Sequence, residues 1–152
     1  VDAIYVGEGY FVTAVRTDKH LRNIAWQINN EGNIVRKGTA DAGTIDMVDA
    51  IYVGEGYFVT AVRTDGHLRN IAWQIDSAGN MVRKDTVDAG PINLLDAVYV
   101  GEGYFVTAVR TDGNLRNIAW QIDRAGKIVR KGTADAGKVS LISIESVTNL
   151  SC

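Results

Sequence analysis

A chain of 152 residues, with sixteen Lys and Arg against eighteen Asp and Glu, is long enough for one ordinary core and carries no basic excess. That balance argues against tight, sequence-independent binding to a polyanion, so nucleic acid is not an expected partner. No run of about 18 apolar residues occurs, so neither a transmembrane helix nor membrane insertion is expected.

The elements come in three rounds. Val1-Asp2-Ala3-Ile4-Tyr5 returns as Val48-Asp49-Ala50-Ile51-Tyr52 and as Leu95-Asp96-Ala97-Val98-Tyr99, a period of 47. Residues 5–18 recur unchanged at 52–65 and 99–112, and residues 21–28 recur unchanged at 68–75 and 115–122. Periods of this size mark solenoids, propellers or arrays, in which each unit needs neighbours to bury its apolar faces. The chain reads as a single repeat domain over 1–152, with repeats 1–47, 48–94 and 95–141 and an extra strand and tail at 142–152.

Each repeat predicts four strands and no helix. In the second copy, strand one covers 45–53 (92–100 in the third) and ends at Gly54-Glu55-Gly56, a hairpin whose glycines can take positive φ. Strand two, 57–63, is rich in β-branched and aromatic residues. The Thr64-Asp65-Gly66 turn leads to strand three, 68–75, and Asp76-Ser77-Ala78-Gly79 leads to strand four, 80–84. Residues 86–91, with the chain's one proline, are expected to cross to the next repeat, with Asp41, Asp88 and Asp135 as turn-capping residues.

Polarity rises along the repeat. Strand one is apolar on both alternating faces, with Ile45, Met47, Ile51 and Val53 on one and Val48, Ala50 and Tyr52 on the other. Such a strand must be covered on both sides. Strand four carries Arg83 and Lys84. A radial stack of sheets produces this gradient, so the expected fold is an all-β β-propeller of four-stranded antiparallel blades, with β-trefoil and β-prism as alternatives. Propellers close with about four to eight blades, so three make only an arc. Closure is expected as a six-bladed homodimer about a twofold axis, with the strand at 138–147, which matches 44–53, crossing the junction. A stretch of a longer propeller would carry the same pattern.

Three copies of every polar group favour equivalent binding sites over one catalytic centre, so no enzyme is expected. His20 and His67 become Asn114 in the third copy, which disfavours a histidine mechanism. The alternative to a binding protein for glycans is a non-catalytic structural or protein-interaction propeller scaffold, and a third reading places sugar-processing carboxylates at Asp2, Asp49 and Asp96. No Cys or His pairs stand at metal spacing and no phosphate loop precedes a helix, so no metal or cofactor is expected. Cys152 is the one cysteine and is read as a free thiol. Asn149-Leu150-Ser151 fits the N-glycosylation pattern, a triplet common by chance, so the compartment is left open, with a lean to a soluble, secreted protein.

Arg16, Asp18 and Arg22 bracket the second hairpin, with Arg63, Asp65, Arg69 and Arg110, Asp112, Arg116 as equivalents. They make either a weak structural ion pair or a guanidinium fork and carboxylate that grip vicinal hydroxyls. Trp26, Trp73 and Trp120 alternate with isoleucines, which predicts packing between blades or a ring open at the junction to a sugar. Tyr10 and its copies are rim or core aromatics. Glu8, Glu55 and Glu102 lie at the opposite end, with the variable turns at 29–31, 76–78 and 123–125. The unvaried turn favours the arginine end as the binding surface.

Val12-Thr-Ala-Val-Arg16, the Thr17-Asp18 turn, residues 21–28 with Trp26, and Gly32-Asn-Ile-Val-Arg36 resemble the blades of bacterial and fungal β-propeller lectins. The likeness runs along the whole chain in layout. The Gly-His…Trp-Asp signature of WD40 repeats and the paired glycine of kelch repeats are absent, as are the glycine-tryptophan turns of several fucose-binding propellers. The resemblance implies glycan partners, held between adjacent blades by an arginine, an acidic group and an aromatic ring. Self-association and multivalent engagement would strengthen individually weak contacts.

Overall fold

A computed structural model describes residues 1–145. Twelve strands run in order: β1 (Asp2–Gly7), β2 (Tyr10–Thr17), β3 (His20–Ile28), β4 (Ile34–Thr44), β5 (Met47–Gly54), β6 (Tyr57–Thr64), β7 (His67–Ile75), β8 (Met81–Pro91), β9 (Leu94–Gly101), β10 (Tyr104–Thr111), β11 (Asn114–Ile122) and β12 (Ile128–Lys138). They form three antiparallel four-stranded sheets, each a simple meander, and no helix occurs among the described residues. The layout is that of a repeat β-propeller, but the three sheets do not close on themselves.

Turn chemistry sets the strand boundaries. Glu8 and Gly9 both take left-handed φ (53° and 79°), the two-residue hairpin that matches strand twist. Gly9 is required twice over, because a Cβ there would lie 2.7 Å from the Ile28 carbonyl oxygen. At the second hairpin the left-handed pairs are Asp65-Gly66 and Asp112-Gly113, whereas the first copy forces Lys19 to φ 70°. The third turn is tied by an acceptor side chain: Asp76 Oδ1 receives the amides of Ala78 and Asn80, and Asn29 and Asp123 repeat the pattern.

Strand four corrects the expectation. It spans 11 residues rather than five, and the presumed crossover is its outer half, continuing past a bulge opposite Trp73. Asp41, Asp88 and Asp135 therefore stand on strands, not in turns. Pro91 ends β8, an edge strand whose missing N–H costs no ladder bond. Only two residues carry the chain between sheets. Ile45 N–H donates to Lys19 O of the sheet being left, and Asp46 N–H donates to Arg63 O of the sheet being entered.

The polarity gradient becomes a burial gradient. β5 is mostly covered, whereas β8 is mostly exposed. Each sheet turns one face forward, toward the next, and one backward. Val12, Ala14, Leu21 and Ala25 of the first sheet meet Phe58, Val62, Ile71 and Trp73 of the second. Their counterparts Val59, Ala61, Leu68 and Ala72 meet Phe105, Val109, Ile118 and Trp120 of the third. One interface is used twice. The expected extra strand is not formed over 142–145, and 146–152, with Asn149 and Cys152, lie outside the described residues.

Candidate functional site: repeated clefts between sheets

At the arginine end the expected arginines bond to other groups of the chain. Arg22 Nε and Nη2 donate to Asp41 at 2.7 and 2.8 Å, a bidentate pair that Arg69–Asp88 and Arg116–Asp135 repeat. Each guanidinium beside its aspartate holds that carboxyl below its ordinary range. Arg16 and Arg110 donate Nε to the linker carbonyls of Ile45 and Val139 at 2.8 and 2.9 Å. Arg63 instead faces Asp46 at 3.9 Å. Asp18, Asp65 and Asp112 sit at positive φ as turn formers. Their carbonyls, or in two copies their carbonyls facing a histidine, explain the varied residue next door: His20 and His67 ring nitrogens lie 2.8 and 2.9 Å from Asp18 O and Asp65 O, and Asn114 Nδ2 reaches Asp112 O at 3.1 Å.

The tryptophans each stack on a phenylalanine of the neighbouring strand. Trp73 and Trp120 are fully buried, stack on Phe58 and Phe105, and spend their N–H on Thr60 and Thr107 at 2.9 Å. Trp26 makes the same bond to Thr13 and the same stack on Phe11. No indole donor is left over for a sugar.

Open space lies at the other end. A cleft of about 320 Å³ between the first and second sheets is lined by Glu8, Tyr10, Tyr52, Asp76 and Ser77. A cleft of about 480 Å³ between the second and third is lined by Glu55, Tyr57, Tyr99, Glu102, Asp123 and Arg124. Apart from Glu102, the second set is the first shifted by 47. The cavities at the arginine junctions hold about 20 and 60 Å³, and a further one of about 220 Å³ at that end of the third sheet is lined by Asp112, Asn114, Arg116 and Asp135.

Two tyrosines define each cleft. Tyr10 OH donates to Ser77 O at 2.8 Å and Tyr57 OH to Arg124 O at 2.9 Å, so these rings strap one sheet to the variable turn of the next. Neither the rim nor the core reading alone described them. Tyr52 and Tyr99 hydroxyls accept the amides of Gly56 and Gly103 at 3.1 Å, which leaves each phenolic proton free to be donated. The hairpin glutamates add carboxylate acceptors, and Val53 and Ile122 add apolar wall. Each cleft thus brings hydroxyl donors, carboxylate acceptors and apolar surface together.

Along the inner strands a separate feature runs. Asp2, Asp49 and Asp96 accept, through Oδ2, the amides of Ala50, Ala97 and Ile144 at 2.8, 2.6 and 2.9 Å. Burial, with hydrogen bonding to Asp2 and Asp96, pushes the Asp49 carboxyl up to about 9. Burial also acts on Asp2, but bonds from Asp49 and the Ala50 and Ala3 amides outweigh it and hold Asp2 low. Asp49 is therefore a protonated link between its neighbours near neutral pH.

No protein-family model and no curated protein matches the chain. A crystal structure of a protein from Lactobacillus plantarum is similar at a TM-score of 0.65 and 12% identity, over 90% of this chain and 42% of that one. The chain thus spans less than half the length of that protein, and the likeness is one of fold.

Proposed function

We propose that this chain is a non-catalytic, multivalent carbohydrate-binding protein that holds saccharides in the clefts between successive sheets at the glutamate end. One observation carries the reading: the same tyrosine, glutamate and aspartate lining recurs at two junctions. Weak sites on a rigid arc gain strength by engaging a glycan-coated surface together. Titration against a glycan panel tests it with the triple variant Glu8→Gln, Glu55→Gln, Glu102→Gln. At least a ten-fold loss of affinity with unchanged folding is expected, and undiminished binding overturns the assignment.

We further propose that two chains close a six-sheet ring. The backward face of the first sheet is bare, with Tyr5 65% and Ile34 56% exposed, whereas Tyr52, Tyr99 and Met81 of the later sheets are half-buried and Ile128 is buried. On the forward face of the third sheet Val100 is 55% exposed, against 8% for its counterpart Val53. These two faces are the halves of an interface the chain already builds twice. A second copy would cover both and complete further clefts from Glu102 and Tyr104 of one chain and Tyr5 and Asn30 of the other. Light scattering should give twice the 16.5 kDa chain mass, and a single-chain mass at every concentration rules the ring out.

A further inference from the structure

We propose that the clefts at the glutamate end select saccharides bearing a free, protonated amine, of the 2-amino-2-deoxyhexose class, over neutral and acidic ones. The proposal rests on the saccharide reading of the same clefts and names the ligand within it.

Charge is the first ground. Glu8 and Asp76 line the cleft between the first and second sheets, and none of the described residues lining it is a lysine, arginine or histidine. Between the second and third sheets, Glu55, Glu102 and Asp123 accompany a single guanidinium, that of Arg124. The formal excess is two negative charges in both clefts, although their turns differ: the added arginine comes with an added glutamate. A concave site with apolar walls focuses such a field. Anionic sugars are thereby repelled, and cationic ones drawn in.

Bonding capacity is the second ground. Asp76 is committed to its own turn, where Oδ1 receives the Asn80 and Ala78 amides and Oδ2 receives Asn80 Nδ2. Those bonds, the ones from Asn80 foremost, hold its carboxyl below the ordinary range, so it supplies charge more than contact. Asp123 is tied in the same way by the Ala125 and Lys127 amides. The carboxylates of Glu8, Glu55 and Glu102 stand on exposed hairpins and have no ion-pair partner among the described residues. They are the acceptors left for a ligand. Donors are scarcer. Tyr10 has spent its proton on Ser77 O, so the side-chain donors remaining in the first cleft are the Tyr52 and Ser77 hydroxyls. An ammonium brings three donors and needs none in return. Acetylation of that nitrogen removes the charge and two of the donors, and adds a carbonyl that competes for those hydroxyls.

The carboxylates also do not converge on a point. No group of three or more His, Cys, Asp or Glu among the described residues could hold a metal ion. Anions spread along clefts of about 320 and 480 Å³ suit a charge carried on an extended organic ring.

Calorimetric titration of the unaltered chain compares three oligosaccharides of equal length: a 2-amino-2-deoxyhexose, its N-acetylated form and a hexuronate. At pH 5.5 the free amine should bind roughly ten-fold or more tighter than the N-acetylated form, with the hexuronate weakest. Raising the pH to 8.5 discharges the sugar amine, which titrates near the α-amino range of about 7.7–8.0, and should bring the two affinities together. The Glu8→Gln, Glu55→Gln, Glu102→Gln variant, with circular dichroism as the folding check, should remove the preference at pH 5.5. Should that variant not fold, the pH comparison on the unaltered chain decides. Equal affinity for the two forms at pH 5.5, or tighter hexuronate binding, overturns the amine preference and leaves the saccharide reading standing. No binding to any sugar overturns both. An oligolysine of equal charge that binds as tightly as the amino sugar assigns the attraction to the chain's net charge of −2 and also overturns the preference.

Discussion

The two ends of each sheet are equally repetitive and do opposite things. At the arginine end, repetition serves mostly internal matching: the guanidinia of five of the six arginines meet an aspartate or a linker carbonyl. Arg63 Nε is left without a partner among the described residues, and the junction cavities are small, although about 220 Å³ stands open beside Arg116 on the third sheet. At the glutamate end the hairpin is just as invariant, yet its carboxylates have no ion-pair partner among the described residues and look onto open clefts. Invariance among copies thus goes with internal bonding at one end and with unpaired carboxylates on open clefts at the other. Variation carries the complementary lesson. Ser77 and Arg124 differ at the cleft edge because only their backbone carbonyls are held, by Tyr10 and Tyr57.

The contrast can be broken in four places. The largest effect lies between the ends: Trp73→Ala removes a buried ring, its stack and its bond to Thr60, and should cost about 3–5 kcal/mol in denaturant unfolding. Any loss of sugar binding should then track unfolding alone. Asp49→Asn comes next. In the folded chain its carboxyl titrates near 9, against an ordinary 3.8, so the folded state keeps a proton that the unfolded state releases. This group's contribution is thus full below pH 4 and declines up to about pH 9. The asparagine variant, whose amide can still donate, should flatten that decline in melting curves at pH 5, 7 and 9. A steeper decline would show that Asp49 is not the protonated partner.

Arg69→Ala should leave glycan affinity unchanged and lower stability by less than about 1 kcal/mol, because its pair with Asp88 is half-exposed and screened. A selective loss of binding would return the site to the arginine end. The smallest effect is a gain. Lys19→Gly relieves a left-handed lysine where the later copies carry glycine, and should stabilise by about 0.5–1 kcal/mol on thermal unfolding.

Much of the fold was legible because strand alternation and turn residues are local signals. Ile45 to Val53 announces a doubly covered strand, and Gly-Glu-Gly announces a left-handed hairpin. The outer half of strand four was not legible: Thr86-Val-Asp-Ala-Gly90-Pro91 has turn composition, and only its pairing with β7 across a bulge makes it a strand. Asp88 was misplaced for the same reason, since its partner Arg69 lies 19 positions back on a neighbouring strand. The clefts escaped too, because they join residues 67 apart, such as Tyr10 and Ser77. A usable hint was present in the pair of tyrosines flanking every glutamate hairpin.

Because the second sheet meets its two neighbours through the two halves of one repeated interface, nothing in that interface fixes how many units are strung together. Whole 47-residue modules can be gained or dropped by recombination between near-identical gene segments, each newcomer finding its berth ready-made. The length of the row is then a matter of copy number, and further units dock without inventing a new contact.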